Sequence, residues 1–181
     1  MLASRGSAAI LVIERRSARS TMLSIRPITP GDDSFLAAVY ASTRAEELSI
    51  TGWSEEEKAA FCRGQFDAQS AHYREHYPGA LLQVIEREGV AIGRLYVAHW
   101  ECEVRIMDIA LLPEHRGSGI GTKLLRELQD EARSAGKILS IHVERFNPAL
   151  RLYERLGFQM VEDKGVYLLM QWDANPPQLS S

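Results

Sequence analysis

Arg116-Gly117-Ser118-Gly119-Ile120-Gly121 is the part of this sequence best suited to holding a charged ligand. The apolar run Ile109 to Leu112 ahead of it suits a buried strand, Pro113 ends that strand, and the residues after Gly121 carry strong helical periodicity. Alternate glycines thus fall at a strand-to-helix turn, where they strip away Cβ atoms. The first N–H groups of a helix have no intrahelical partner, so a phosphate can come close and accept from several at once, with the Arg116 charge beside it. Two nucleotide-binding patterns fail on these residues. A P-loop ends in Gly-Lys-Ser/Thr, whereas Gly121 is followed by Thr122 and Lys123 in the reverse order; a dinucleotide fingerprint beginning at Gly117 needs a third glycine where Thr122 stands. The pattern that is met is Arg-x-x-Gly-x-Gly, by Arg116, Gly119 and Gly121.

Two other spacings suggest different chemistry. His72-Tyr73-Arg74-Glu75-His76 fits His-x-x-Glu-His, the inverted zinc-peptidase pattern, on a predicted helix where both histidines share a face. Three fixed residues make a weak signature and no distant ligand stands out, so a metallopeptidase through His72, Glu75 and His76 is a remote alternative and no metal site is assigned. Histidines in a last helical turn also suit the negative end of the helix dipole. Cys102 assisted by His99 would be a nucleophile and its base, but two residues in one segment do not make an oriented triad.

The elements that must position these groups follow in chain order. Leu23 to Pro27 reads as a short strand, and Thr29-Pro30 as a helix start with Thr29 as N-cap; Phe35, Leu36, Val39 and Tyr40 then repeat at helical spacing. Ser54 and Glu57 form a capping box for a second helix running to about His76, where Tyr77-Pro78-Gly79 stops it. Leu81 to Ile85 and Val90 to Val97 are strand-like around a Glu88-Gly89 hairpin turn, and Glu103 to Leu112 completes an antiparallel meander. The glycine-led helix ends at Gly136, and a right-handed crossover places Ile138 to Val143 parallel to the preceding strand. Asn147 caps a further helix with Pro148 in its first position and Gly157 at its end; Phe158 to Val161 and Val166 to Trp172 pair through an acidic turn.

The chain of 181 residues, 45% apolar, can bury one core, and no internal repeat is apparent. The predicted organisation is a flexible extension over 1–22, one domain over 23–172 and a flexible tail over 173–181. Residues 1–22 hold Arg5, Arg15, Arg16 and Arg19 against Glu14, or +3, so the net −3 leaves −6 on the rest and speaks against nucleic acid as a partner. Cys62 and Cys102 stand far apart without a Cys-x-x-Cys pair, which suggests a reduced, cytoplasmic setting. No run approaches the roughly 20 apolar residues of a membrane helix, so no membrane association is expected.

A second block changes the weight of the glycine pattern. Asn147-Pro148-Ala149-Leu150-Arg151-Leu152-Tyr153-Glu154-Arg155-Leu156-Gly157-Phe158 has the form Asn-x-x-x-x-x-Tyr-x-x-x-Gly-Phe. With both segments in order, the chain resembles the GNAT superfamily of acyl-CoA-dependent N-acyltransferases over about Leu23 to Trp172. The resemblance implies an α/β (α+β) fold: a mixed, largely antiparallel sheet of six or seven strands with helices on both faces. It also implies a splay between two central parallel strands, here Glu103 to Leu112 and Ile138 to Val143. The first two helices would cover the acceptor pocket. Acetyl-CoA is the implied acyl donor, its pyrophosphate at Arg116, Gly117, Ser118, Gly119, Ile120 and Gly121, its pantetheine arm against backbone atoms of Ile109, Ala110 and Leu111, with Asn147 and Tyr153 also in contact.

The implied reaction is direct attack of a primary amine on the thioester within a ternary complex. It needs a base for an ammonium of pKa ~10, donors for the oxyanion and an acid for the thiolate. Glu103 stands where some peptide-amine members carry a catalytic glutamate, and alternation places it on one strand face with Arg105 and Met107; Asp108, Glu46 and Glu47 are the other candidates, through water if need be, and a carboxylate merely paired with Arg105 or Arg94 is the structural reading. Tyr153 matches the tyrosine whose hydroxyl approaches the thioester sulfur. A backbone N–H near Ala110 or Leu111 is the oxyanion donor. The acceptor, a small-molecule or peptide amine, is not readable: Glu46, Glu47, Glu101 and Glu103 could attract an amine while Arg44, Arg94 and Arg105 could hold a carboxylate. A non-catalytic acyl-CoA-binding regulatory module on the same fold is the main alternative. Pairing of two copies through terminal strands is the expected oligomeric form, if any.

Overall fold

A computed structural model describes residues 22–175. The extension predicted over 1–22 and the tail over 173–181 concern mainly residues outside that range. Seven strands form one sheet, β1 (Leu23–Pro27), β2 (Leu81–Arg87), β3 (Val90–His99), β4 (Glu103–Leu111), β5 (Ile138–Glu144), β6 (Gln159–Asp163) and β7 (Tyr167–Trp172), in the spatial order β1-β2-β3-β4-β5-β7-β6. Every neighbouring pair is antiparallel except β4 and β5. Four α-helices cover it: α1 (Asp33–Ser49), α2 (Glu55–His76), α3 (Ile120–Ala135) and α4 (Leu150–Arg155).

Strand alternation divides the core in two. Val84 turns to one face, against Leu36, Tyr40 and Leu48 of α1 and Cys62 and Phe66 of α2. Its neighbour Ile85 turns to the other, where Leu95, Val97, Val104, Ile106, Leu139 and Ile141 pack on Leu124, Leu125, Leu128 and Ala132 of α3 and Tyr153 of α4. Helices thus lie on both faces, as the resemblance implies. Among the described residues no helix is long and apolar enough to cross a membrane.

Local chemistry explains most boundaries. Ser54 Oγ accepts from the Glu57 N–H at 3.2 Å while the Glu57 carboxylate accepts from the Ser54 N–H at 2.7 Å, starting α2 where the capping box predicts. The Glu88-Gly89 hairpin has positive φ at both residues, 54° and 78°, the form whose twist suits paired strands. Two starts differ from expectation. Pro30–Asp32 forms a one-turn 3-10 helix and α1 begins only at Asp33, because the Asp32 carboxylate accepts from the Thr29 N–H at 2.7 Å and from both Arg26 Nη atoms at 2.8 and 2.7 Å. Likewise α4 begins at Leu150, since Asn147 Oδ1 closes a turn on the Ala149 N–H at 2.8 Å and the Leu150 N–H bonds to the Asn147 carbonyl at 3.0 Å.

Asp32 is buried, and the Arg26 guanidinium holds its carboxyl well below the usual carboxylate range. A lowered folded pKa gives stability that is complete above the unfolded value near ~4 and is lost as pH falls through the folded value. Asp32→Ala should cost about 2 kcal/mol at neutral pH, because the Thr29 N–H loses its acceptor, and the deficit should shrink in acid. Thermal melts of both proteins from neutral pH downward check this; coincident stabilities at every pH would show that Asp32 stabilises nothing, and a deficit constant into acid would show that its charge is not the source.

Two irregularities in the central strands shape the site. Tyr96 pairs with Asp108 but Val97 pairs with Ile106, so Met107 is an extra residue, a β-bulge. Since Arg94, Tyr96 and Ala98 share a face, their partners Ala110, Asp108 and Arg105 do too. The bulge thereby brings Asp108 onto the face that simple alternation from Arg105 denies it. The parallel β4–β5 ladder then ends at Ile106–Ile141, so Met107 to Leu111 and His142 to Glu144 run on without pairing to one another. This is the splay.

Candidate active site

A cavity of about 450 Å³ opens at that splay, between the α1–α2 layer and the diverging ends of β4 and β5. Its β4 wall is Arg105 to Ala110, its β5 wall Ile141 to Glu144, and Tyr40, Arg44, Gln69, His72, Tyr73 and Tyr77 close it from α1, α2 and the turn beyond. Tyr153 and Asn147 line it from the α4 segment.

The register of β4 decides which backbone groups face the opening. The Leu112 N–H bonds to the Ile92 carbonyl at 2.9 Å, which sets the phase of the antiparallel ladder: Ala110 bonds back to Arg94, while the N–H and C=O groups of Ile109 and Leu111 turn towards the missing β5 partner. Of the three residues expected to meet the pantetheine arm, Ile109 and Ala110 line the cavity, and Ile109 and Leu111 direct backbone groups into the splay. The Leu111 carbonyl already accepts from Arg116 Nε at 2.8 Å.

Just past that strand end, Gly117 and Gly119 adopt left-handed φ of 70° and 84°, and Gly119 is the N-cap of α3. A Cβ built on either would meet nothing within 4 Å, so the space in front of the turn is open. The N–H groups of Gly117 to Thr122 have no hydrogen-bond partner among the described residues, and the first bond of α3 runs from the Lys123 N–H to the Gly119 carbonyl. The turn is a row of free donors at a positive helix end. Ser118 turns its hydroxyl back to donate to the His115 carbonyl at 2.7 Å. Arg116, though exposed, is tied down as well: Nη2 donates to Ser42 Oγ at 3.1 Å, so its side chain braces the turn to α1.

Tyr153 is buried at 5% exposure with its ring edge-on to Phe158, centroids 5.7 Å apart. Burial first, then the negative charge of Asp108, pushes its phenol well above the usual tyrosine range, so it stays protonated at neutral pH. Its hydroxyl makes no hydrogen bond among the described residues, yet it is not a buried orphan atom; it is open to the cavity it lines.

Glu103 lies elsewhere. Its carboxylate accepts from Arg105 Nη2 at 2.6 Å and Nε at 2.8 Å and from the Ser140 hydroxyl, and it is not part of the cavity wall. Arg105 in turn reaches His142 Nδ1 at 3.1 Å, and burial, then Arg105 and Lys164, depress the His142 pKa. Two carboxylates do line the cavity, Glu144 and Asp108, the latter bound to Arg94 Nη2 at 2.7 Å and Nε at 3.3 Å. Arg44 of α1 bridges the cavity to Glu144 of β5 at 3.0 Å. Glu46 is exposed and Glu47 pairs with Arg44 at 3.1 Å.

Gln69, Tyr73, His142 and Glu144 escape sequence reasoning, because only the splay and the packing of α2 gather them. Arg94, by contrast, is visible in the sequence, where it interrupts the apolar run of β3. His72 and His76 stack with centroids 4.3 Å apart; His72 adjoins the cavity, and no group of three metal-ligating side chains occurs among the described residues.

Comparison with known proteins adds to this geometry. The family model described as acetyltransferase (GNAT) family matches residues 40–158. The chain is 43% identical over 61 residues to streptothricin acetyltransferase of Streptomyces lavendulae, covering 33% of this chain and 32% of that protein. It is 32% identical over 100 residues to the N-alpha-acetyltransferase RimI of Mycobacterium tuberculosis, covering 53% and 60% respectively. It therefore spans less than two thirds of these relatives' lengths. The crystal structure of PaiA N-acetyltransferase from Thermoplasma acidophilum in complex with coenzyme A is similar in fold, with TM-score 0.64 and 19% identity over 83% of this chain and 98% of that one.

Proposed function

Because the chain belongs to the acetyltransferase (GNAT) family, we propose that it is an N-acetyltransferase that moves an acetyl group from acetyl-CoA to a primary amine by direct attack in a ternary complex. The observation that carries this reading is the continuity of open glycine turn, splayed strands and cavity. A pyrophosphate fits the free N–H row of Gly117 to Gly121, where the three glycines carry no Cβ, and an amide-bearing arm fits the backbone groups of Ile109 and Leu111 that no β5 partner takes. Arg116, bonded to Leu111 and Ser42, holds the turn in this shape and adds positive charge beside it. Asn147, at the cavity wall, contacts the same arm. The donor supplies a thioester, an acyl group with a good leaving thiolate.

Tyr153 donates its proton to the departing sulfur, its raised pKa keeping the hydroxyl loaded. One of the two β4 N–H groups directed into the splay, that of Ile109 or of Leu111, is the donor for charge developing on the acyl oxygen, and the other serves the arm. Asp108, brought onto the cavity face by the bulge, takes the ammonium proton, directly or across one water. Glu103 is a positioning residue: it fixes Arg105, which holds His142 and the β5 wall. Edge strand β6, exposed along its length with Met160 and Val161 outward, supports pairing of two copies.

The division of labour on β4 is testable with variants that keep hydrogen-bonding shape. Asp108→Asn should lower kcat about 100-fold, the usual size of a general-base contribution, whereas Glu103→Gln should lower it less than about 10-fold. Amine-dependent thiol release measures both, with melting curves to confirm folding. A larger loss for Glu103→Gln would return the base to Glu103.

A further inference from the structure

Arg94 is a buried cation with an unmet hydrogen bond. It is 1% exposed on β3, and its Nη1 is the buried side-chain nitrogen or oxygen without a partner among the described residues. The other guanidinium nitrogens are engaged: Nε and Nη2 by Asp108, and Nη2 also by Gln69 Oε1 at 3.1 Å. The rings of Tyr40 and Tyr96 flank the group, with centroids 5.7 and 5.3 Å from Cζ. Arg94, Gln69 and Asp108 all line the cavity.

The donors at this floor outnumber the acceptors offered to them. With Gln69 Oε1 turned to Arg94, its Nε2 is a second donor without a partner among the described residues. The Tyr73 hydroxyl is already turned away to the Met107 carbonyl at 3.4 Å. Asp108 keeps lone pairs beyond those facing Arg94, and its charge attracts a cation. A guest suited to this floor brings anionic oxygens for Arg94 and Gln69 and a positive group for Asp108 at the same time. A polyamine brings no acceptor oxygens and leaves Nη1 orphaned; a peptide N-terminus offers a single neutral carbonyl. The cavity of about 450 Å³ must also admit the thioester end of the donor, which leaves room for one small acceptor.

Resting on the acetyl-transfer reading, we propose that the acceptor is a free α-amino acid or a close zwitterionic analogue, its carboxylate received by Arg94 Nη1 and Gln69 Nε2 and its ammonium by Asp108. Nη1 is shut off from solvent in the empty cavity, so binding shifts the side chains around it. The ammonium meets the proposed base in this pose, so recognition and proton removal share one ion pair.

The test compares ligands on the unaltered protein. CoA-loaded enzyme is titrated by calorimetry with the N-acetyl derivatives of the twenty amino acids and with the corresponding N-acetyl carboxamides. At least one carboxylate should bind about 10-fold or more tightly than its carboxamide, as expected for a charge-assisted bond to a buried guanidinium. Arg94→Lys, which keeps the charge but not the fork, should bring that ratio to within about 3-fold while leaving CoA affinity unchanged. Carboxamides that match or exceed every carboxylate, or no binding by any carboxylate, would overturn the proposal with the acetyl-transfer reading intact. Failure of CoA itself to bind would instead remove the reading on which the proposal rests.

Discussion

Gly119→Glu should abolish acetyl-CoA binding, with affinity lowered at least about 100-fold, or ~2.7 kcal/mol, while the protein still unfolds cooperatively. Two effects add. Gly119 sits at φ 84°, where an L side chain costs roughly 1–2 kcal/mol, and the new carboxylate fills and charges the space in front of the free N–H row. Gly165→Glu separates them: Gly165 has φ 80° and equally open surroundings, but it lies in the β6–β7 turn, so it carries the strain without the charge at the site. Calorimetry should find acetyl-CoA bound normally by the Gly165 variant and not by the Gly119 variant. Normal binding by both would remove the glycine turn from the site.

Tyr153→Phe should lower kcat by about 100- to 1,000-fold with acetyl-CoA affinity within about 3-fold of wild type. The ring itself is a packing element, edge-on to Phe158 in the core under α4, and phenylalanine preserves that contact. What is lost is one hydroxyl that is open to the cavity and kept protonated by burial and by Asp108. A structural tyrosine would show the reverse, with stability reduced and turnover unchanged. Unaltered kcat in the Phe variant would reassign thiolate protonation to solvent or to another side chain.

These results depend on features that differ in how far the sequence discloses them. The order of elements was legible because each leaves a local mark: the Ser54 and Glu57 box, the Glu88-Gly89 turn, and the stop at Gly136, which adopts a φ of 65°. The glycine turn was legible because chemistry and backbone geometry demand the same residues there. Register was not. Nothing in the letters from Val104 to Asp108 announces an extra residue at Met107, and that bulge decides that Asp108 shares a face with Arg105. For the same reason Glu103 looked catalytic from its place along the strand, whereas Arg105 and Ser140, the latter supplied by β5, enclose its carboxylate. Arg116 has partners that the sequence does not disclose. Its type and place suggest a hand extended to phosphate, and the Leu111 carbonyl and the Ser42 hydroxyl tie it down. Side-chain partners that arrive from α1, α2 or β5 are tertiary facts, and periodicity within one segment does not contain them.

We propose that the turn, the splay and the cavity form one acetyl-transfer site. The most direct measurement is thiol release from acetyl-CoA by the purified wild-type protein, read with and without a panel of primary amines that includes α-amino acids, with the product identified by mass. Thiol should be released only with both protein and amine present, equimolar with an N-acetylated product. Acetyl-CoA that binds but releases no thiol with any amine, or does not bind, would contradict the proposal.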